Sequence, residues 1–152
     1  MNDLMLDIVP KNGLGQISFG DTSEKVLGML GQPEDVENIE DVDEFPTVIL
    51  YYWEKGVTIF FEGLEKSVVS CFEVENTDAR MYGNKIFEMK EQDILDMMNA
   101  KGFEVAEKEK ELTGENRISY DDAMIDFFFS DGNLVAVNWG VLVNDKGEVE
   151  EM

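Results

Sequence analysis

The chain has 152 residues, 43% of them hydrophobic and 11% aromatic, which is room for one ordinary domain or two half-size units sharing a core and is too apolar for a disordered chain. It carries 12 basic and 34 acidic residues, a formal net charge of −22. Such a surface repels phosphate backbones and anionic membranes and attracts cations or basic proteins, so nucleic-acid and membrane partners are set aside and a basic partner is favoured.

Taken in chain order, residues 1–10 hold Asp3 and Asp7, no Lys or Arg and no unbroken apolar run, which does not fit a secretory signal. Gly13, Gly15 and Gly20 bracket an extended stretch, Gln16-Ile17-Ser18-Phe19. Asp21-Thr22-Ser23-Glu24 then offers an N-cap with an acid three residues on, and this predicts a helix over 22–30 with Val26, Leu27 and Leu30 on one face. Gly31 supplies the left-handed residue after it, and Pro33 stops it.

Seven acids then fall in eleven positions: Glu34, Asp35, Glu37, Glu40, Asp41, Asp43 and Glu44. The segment reads as a loop, either a solvated mobile one or an acidic rim beside the aromatic strand Tyr51-Tyr52-Trp53. A turn at Lys55-Gly56, a strand over 57–61 and another from Val68 follow. Cys71, the one cysteine, sits in the apolar run 68–74 next to Glu73 and reads as a small hydrophobe rather than a thiolate. A single cysteine allows no intrachain disulfide and points to a reducing compartment, so the expected location is cytoplasmic.

A second helix is predicted over 91–100, with Ile94, Leu95 and Met98 on one face and Gly102 past its end. Residues 103–110 fit an edge strand or a continuing helix. Ile118-Ser119-Tyr120, a turn at Asp121-Asp122, a strand over 125–129, an Asp131-Gly132-Asn133 turn and a strand over 134–139 close the pattern. Residues 144–152 are polar and acidic and read as a frayed tail.

The chain reads as written twice. Tyr52 and Tyr120, like Phe61 and Phe129, stand 68 positions apart, so the helix, hairpin and strand of the first half recur in register in the second. The expected fold is α+β: two tandem copies, about 13–76 and 83–143, each a helix on an antiparallel sheet, packed as one body over 1–152. By strand parity Val57, Ile59 and Phe61 match Ile125, Phe127 and Phe129 on the helix side, while Phe60 and Phe128 fall on the opposite face. That aromatic face is either covered by a loop or the other copy, or left open for recognition.

Residues 17–26 (Ile-Ser-Phe-Gly-Asp-Thr-Ser-Glu-Lys-Val), followed by Leu30-Gly31-Gln32-Pro33, resemble the G-x-T…V…L-G-x-P signature of the helix-loop-helix plus antiparallel sheet family, which includes β-lactamase inhibitor proteins and small outer-membrane assembly lipoproteins. The resemblance implies a sheet that grips another protein and performs no catalysis. Lipid anchoring, disulfide pairs and β-lactamase as target do not carry over to a chain with one cysteine.

There is no histidine, which removes the usual catalytic imidazole and the commonest transition-metal ligand. Phosphate-cradling glycine motifs are missing as well. Carboxylate pairs such as Asp121-Asp122 arise by chance among 34 acids, and Asp41, Asp43 and Glu44 lack the spacing of a calcium loop. The expectation is therefore a non-enzymatic protein with no cofactor and no metal. Its leading reading is an immunity-type inhibitor of a basic toxin or enzyme, such as a nuclease. Its candidate partner-binding residues are Asp35, Glu37, Glu40, Asp41, Asp43, Glu44, Tyr51 and Trp53. The alternatives are a stand-alone structural or assembly module, or an accessory protein that binds a cation or small ligand weakly.

Overall fold

The structure, a computed structural model, describes residues 5–39, 46–63, 66–110, 114–144 and 146–150. In chain order these residues form β1 (Asp7–Val9), β2 (Gly13–Leu14), β3 (Ile17–Ser18), α1 (Ser23–Leu30), β4 (Asp35–Ile39), β5 (Thr47–Tyr52), β6 (Val57–Glu62) and β7 (Val68–Val74). Then come β8 (Arg80–Met81), β9 (Asn84–Lys85), α2 (Glu91–Ala100), β10 (Glu107–Lys110), β11 (Asn116–Tyr120), β12 (Ile125–Ser130) and β13 (Asn133–Gly140). Two helices against many strands make the fold α+β with β dominant.

The helices form where the residues supply what a helix end lacks. Thr22 is extended and its Oγ1 accepts the Lys25 N–H at 3.3 Å, so it is the cap. Asp21 steadies the approach instead, accepting from the Ser18 N–H at 2.8 Å and pairing with Lys25 at 3.2 Å. Gly31, at φ 81°, donates to the Leu27 carbonyl and ends α1. At α2 the cap residue is Lys90, whose side chain has no acceptor, and Asp93 compensates by accepting the Lys90 N–H at 3.1 Å. Val26 and Leu30 of α1, and Ile94, Met97 and Met98 of α2, are buried. Met97 takes the place expected for Leu95, which is only partly covered.

Eight strands make one sheet in the order β10-β11-β12-β13-β7-β6-β5-β4, with every neighbouring pair antiparallel. The sheet has a helix side and a helix-free side. Val57, Ile59, Phe61, Ile125, Phe127 and Phe129 are buried in one cluster with the helix residues above, as strand parity requires. Trp139, fully buried, stacks on Phe72 at 5.3 Å and donates from Nε1 to the Gly13 carbonyl at 3.2 Å, tying β13 to the N-terminal segment. On the helix-free side one row crosses the whole sheet: Asp35, Tyr51, Thr58, Glu73, Asn138, Asp126, Ser119 and Glu107. Register shifts occur between Phe60 and Phe61 and between Phe128 and Phe129, positions of the same 68-residue spacing. Phe60 and Phe128 stand on this side, each partly exposed.

Several sequence expectations are corrected. Residues 35–39 of the acidic segment form the edge strand β4, paired antiparallel with β5 from Asp35–Tyr51 to Ile39–Thr47. Trp53 leaves the strand for a 3-10 turn, Trp53–Lys55, closed by Gly56 at φ 65°. Of the two readings for residues 103–110, the structure takes the edge strand, over Glu107–Lys110. Residues 144 and 146–150 are not a frayed tail: Val149 bridges Val143 and packs against the core, and Asn144 accepts the Lys146 and Glu148 N–H groups. A small sheet, β3-β2-β1-β8-β9, is also present; its two- and three-residue strands are too short for periodicity to mark, although Ile8, Leu14, Ile17 and Met81 are buried there.

Candidate partner-binding site

The end of β5 builds the most distinctive surface among the described residues. Glu34 accepts the Trp53 N–H at 3.0 Å through Oε2 and the Glu54 N–H at 3.4 Å through Oε1, so a carboxylate satisfies the first donors of the 3-10 turn. The turn lifts Trp53 off the sheet, 61% exposed. Its ring lies 5.7 Å from that of Tyr51, tilted by 38°, and the Tyr51 hydroxyl donates to Glu37 Oε2 at 2.7 Å. Asp35 sits directly across from Tyr51. That hydrogen bond, followed by burial and the charges of Glu37, Asp35 and Glu73, raises the Tyr51 pKa, so its hydroxyl stays a donor at neutral pH.

The structure thus brings Asp35, Glu37, Tyr51 and Trp53 together on one edge of the helix-free side. Glu40, Asp41, Asp43 and Glu44 lie outside the described residues. Sequence reasoning left Glu34 out of the candidates, yet its carboxylate positions the tryptophan. It also passed over the centre of the face, where Glu73 stands opposite Asn138; parity two along 68–74, which puts Cys71 and Glu73 on the Phe60 side, was the signal available.

Farther across the same side lies a depression of about 500 Å³ bordered by Glu62, Cys71, Asp126, Asn138 and Leu142. The Cys71 thiol donates to Asn138 Oδ1 at 3.3 Å. Burial, then the Glu62 and Glu73 charges, push its pKa up to about 12, so the group is a thiol and not a nucleophilic thiolate. At the β10 edge, Arg117 pairs with Glu109, donates to Ser119 Oγ at 2.7 Å and approaches Glu107 and Asp126 at 3.7 and 3.9 Å. Among the described residues no group of three His, Cys, Asp or Glu side chains is placed to hold a metal ion. What the arrangement offers is exposed aromatic area ringed by carboxylates, a surface suited to stacking and pairing with Lys or Arg.

No family model and no curated protein matches this chain. A solved structure that is similar is an extracellular protein containing a SCP domain from Bacillus anthracis, at 16% identity and a TM-score of 0.45. The match covers 88% of this chain, which spans about half the length of that protein, 50%. No helix among the described residues is long and apolar enough to cross a membrane.

Proposed function

We propose that this chain is a non-enzymatic binding protein that captures a basic protein partner, acting in the cytoplasm as an immunity-type inhibitor of a toxin or enzyme. One observation carries the reading. Trp53, 61% exposed, packs on Tyr51 within a ring formed by Glu34, Asp35 and Glu37. An aromatic anchor whose backbone is fixed by Glu34, whose ring packs on Tyr51 and which is flanked by carboxylates suits a basic surface. The net charge of −22 supports the same partner sign through long-range attraction. The resemblance of residues 17–33 to the β-lactamase inhibitor and assembly-lipoprotein family supports a sheet that holds a protein.

The architecture of this reading is a tandem duplication. The pairings Thr58–Glu73 and Asp126–Asn138 fall at matching places in the two halves of the sheet, and β7 meets β13 antiparallel at Glu73–Asn138. Two copies related by a local twofold axis through that pair account for both.

Binding kinetics against the captured partner test the function. Reversing Asp35 and Glu37 to Lys slows association steeply at low salt and changes dissociation little, whereas Trp53→Ala chiefly hastens dissociation. A captured partner that is acidic, or one that binds the charge-reversed protein as fast as the original, refutes the reading.

A further inference from the structure

The two edges of the eight-stranded sheet are not alike. β10 reads Glu-Lys-Glu-Lys, and Arg117 of the next strand reaches both of its acids. Alternating charge that includes lysines is a common guard against unwanted strand pairing. β4 reads Asp-Val-Glu-Asn-Ile, with no lysine, no proline and no register shift against β5. All five of its residues are exposed, Val36 and Ile39 to 47% and 44%. Its outer side pairs with no other strand among the described residues. A strand of that length offers about 17 Å of ladder at 3.4 Å per residue.

We infer that β4 is a docking edge at which an extended, basic segment of the partner protein adds a ninth strand to the sheet. The inference rests on the basic-partner reading above and specifies how that partner is held. The pleat sets Asp35, Glu37 and Ile39 on the helix-free side and Val36 on the helix side, next to Leu50. An incoming strand therefore meets two carboxylates and Ile39 on one face and Val36 with Asn38 on the other. The matching segment carries Lys or Arg at alternate positions with an apolar residue between them. Its basic side chains would fall on the side where Trp53 and Tyr51 stand, continuing the same recognition surface. At Val36 the N–H donates to the neighbouring Asp35 Oδ1 at 2.9 Å, a local bond that an incoming carbonyl can replace.

A second copy of this chain does not fit the edge. Antiparallel pairing of two β4 strands about their centre sets Glu37 against Glu37, and parallel pairing sets acid against acid along the strand. In both cases two molecules of charge −22 must meet. Like charges directly opposite across a ladder are destabilising.

The test uses the whole protein and three synthetic eight-residue peptides with the same set of side chains, in about 0.15 M salt to suppress non-specific attraction. One alternates Lys or Arg with Val. One groups the cations at one end. The third is the alternating peptide N-methylated at every amide, which removes the backbone donors of both strand edges and keeps every charge. Affinity and residue-resolved amide exchange are read together. The alternating peptide should bind at least tenfold more tightly than either of the others and should slow exchange at least tenfold at the outward amides of residues 35–39, leaving β10 unchanged. Equal binding by the N-methylated or grouped peptide, protection confined to β10, or binding without protection at residues 35–39 overturns strand addition and leaves the acidic and aromatic recognition reading standing. Failure of all three cationic peptides to bind overturns both.

Discussion

Trp139→Phe probes the joint between the N-terminal segment and the large sheet. The indole is fully buried, and its Nε1–H donates to the Gly13 carbonyl at 3.2 Å. Phenylalanine keeps a ring against Phe72 but removes the donor, and leaving a buried carbonyl unsatisfied costs about 1–3 kcal/mol. The lost part of the ring leaves about 40 Å³ of void, which at about 24 cal/mol per Å³ adds about 1 kcal/mol. The expected destabilisation is therefore about 2–4 kcal/mol. Chemical denaturation followed by circular dichroism measures it, with Trp53→Phe as the control, since an exposed substitution should stay within about 0.5 kcal/mol. A Trp139→Phe change below about 0.5 kcal/mol, or a Trp53→Phe change as large as that of Trp139→Phe, would refute the assignment of Trp139 as the buried tie and Trp53 as the free anchor.

Leu30→Ala, at 3% exposure in the core cluster, should cost about 2–5 kcal/mol in the same assay; an unmoved midpoint would show that α1 does not depend on that contact. Thr22→Ala removes the acceptor for the Lys25 N–H and should cost about 1 kcal/mol, with Thr22→Asp restoring most of it. Glu73→Gln should raise stability at neutral pH. Burial, then Glu75, raises the Glu73 pKa above its ordinary 4.5, so the folded state holds the proton to higher pH than the unfolded chain and the ionised form weakens the fold. The penalty is present above the folded pKa and fades as pH falls through it to 4.5 and below. The midpoint gap between variant and parent should therefore be positive at pH 7 and close to zero near pH 3.5; a gap of equal size at both values would contradict the assignment.

Where a segment is long and periodic, its sequence was legible. The second helix matches residue for residue over Glu91–Ala100, and β6 and β12 show their burial alternation in the order of their apolar residues. Of the two-residue strands β3 falls in the stretch read as extended, 16–19, whereas β2, β8 and β9 went unread because two residues carry no period. The acidic segment misled for a related reason. Its charge density outweighed Val36 and Ile39, although pairing with β5 needs only backbone groups and tolerates carboxylates on both faces of an edge. Asp35, Glu37, Tyr51 and Trp53, chosen as candidates because an acidic run precedes an aromatic strand, come together at one edge of the sheet. The role of Glu34 was not legible, since its hydrogen bonds to Trp53 and Glu54 cross 19 and 20 positions and depend on a turn that replaced the expected strand end.

The β7–β13 pairing also shapes how the molecule folds. The β5–β6, β6–β7, β11–β12 and β12–β13 pairs close over short connections, and hairpins of that kind form within microseconds. Only at β7–β13, where Phe72 meets Trp139, do the large sheet's neighbouring strands pair residues more than sixty positions apart. Closing so long a loop is entropically demanding, and topology of this sort sets the rate. The two four-stranded meanders can therefore form early and independently, while the sheet exists as one object only once that seam zips. In a Trp53→Phe protein the fluorescence of Trp139 follows its packing on Phe72 across the seam, and a chain stalled there would present two raw strand edges, those of β7 and β13, to its neighbours in solution.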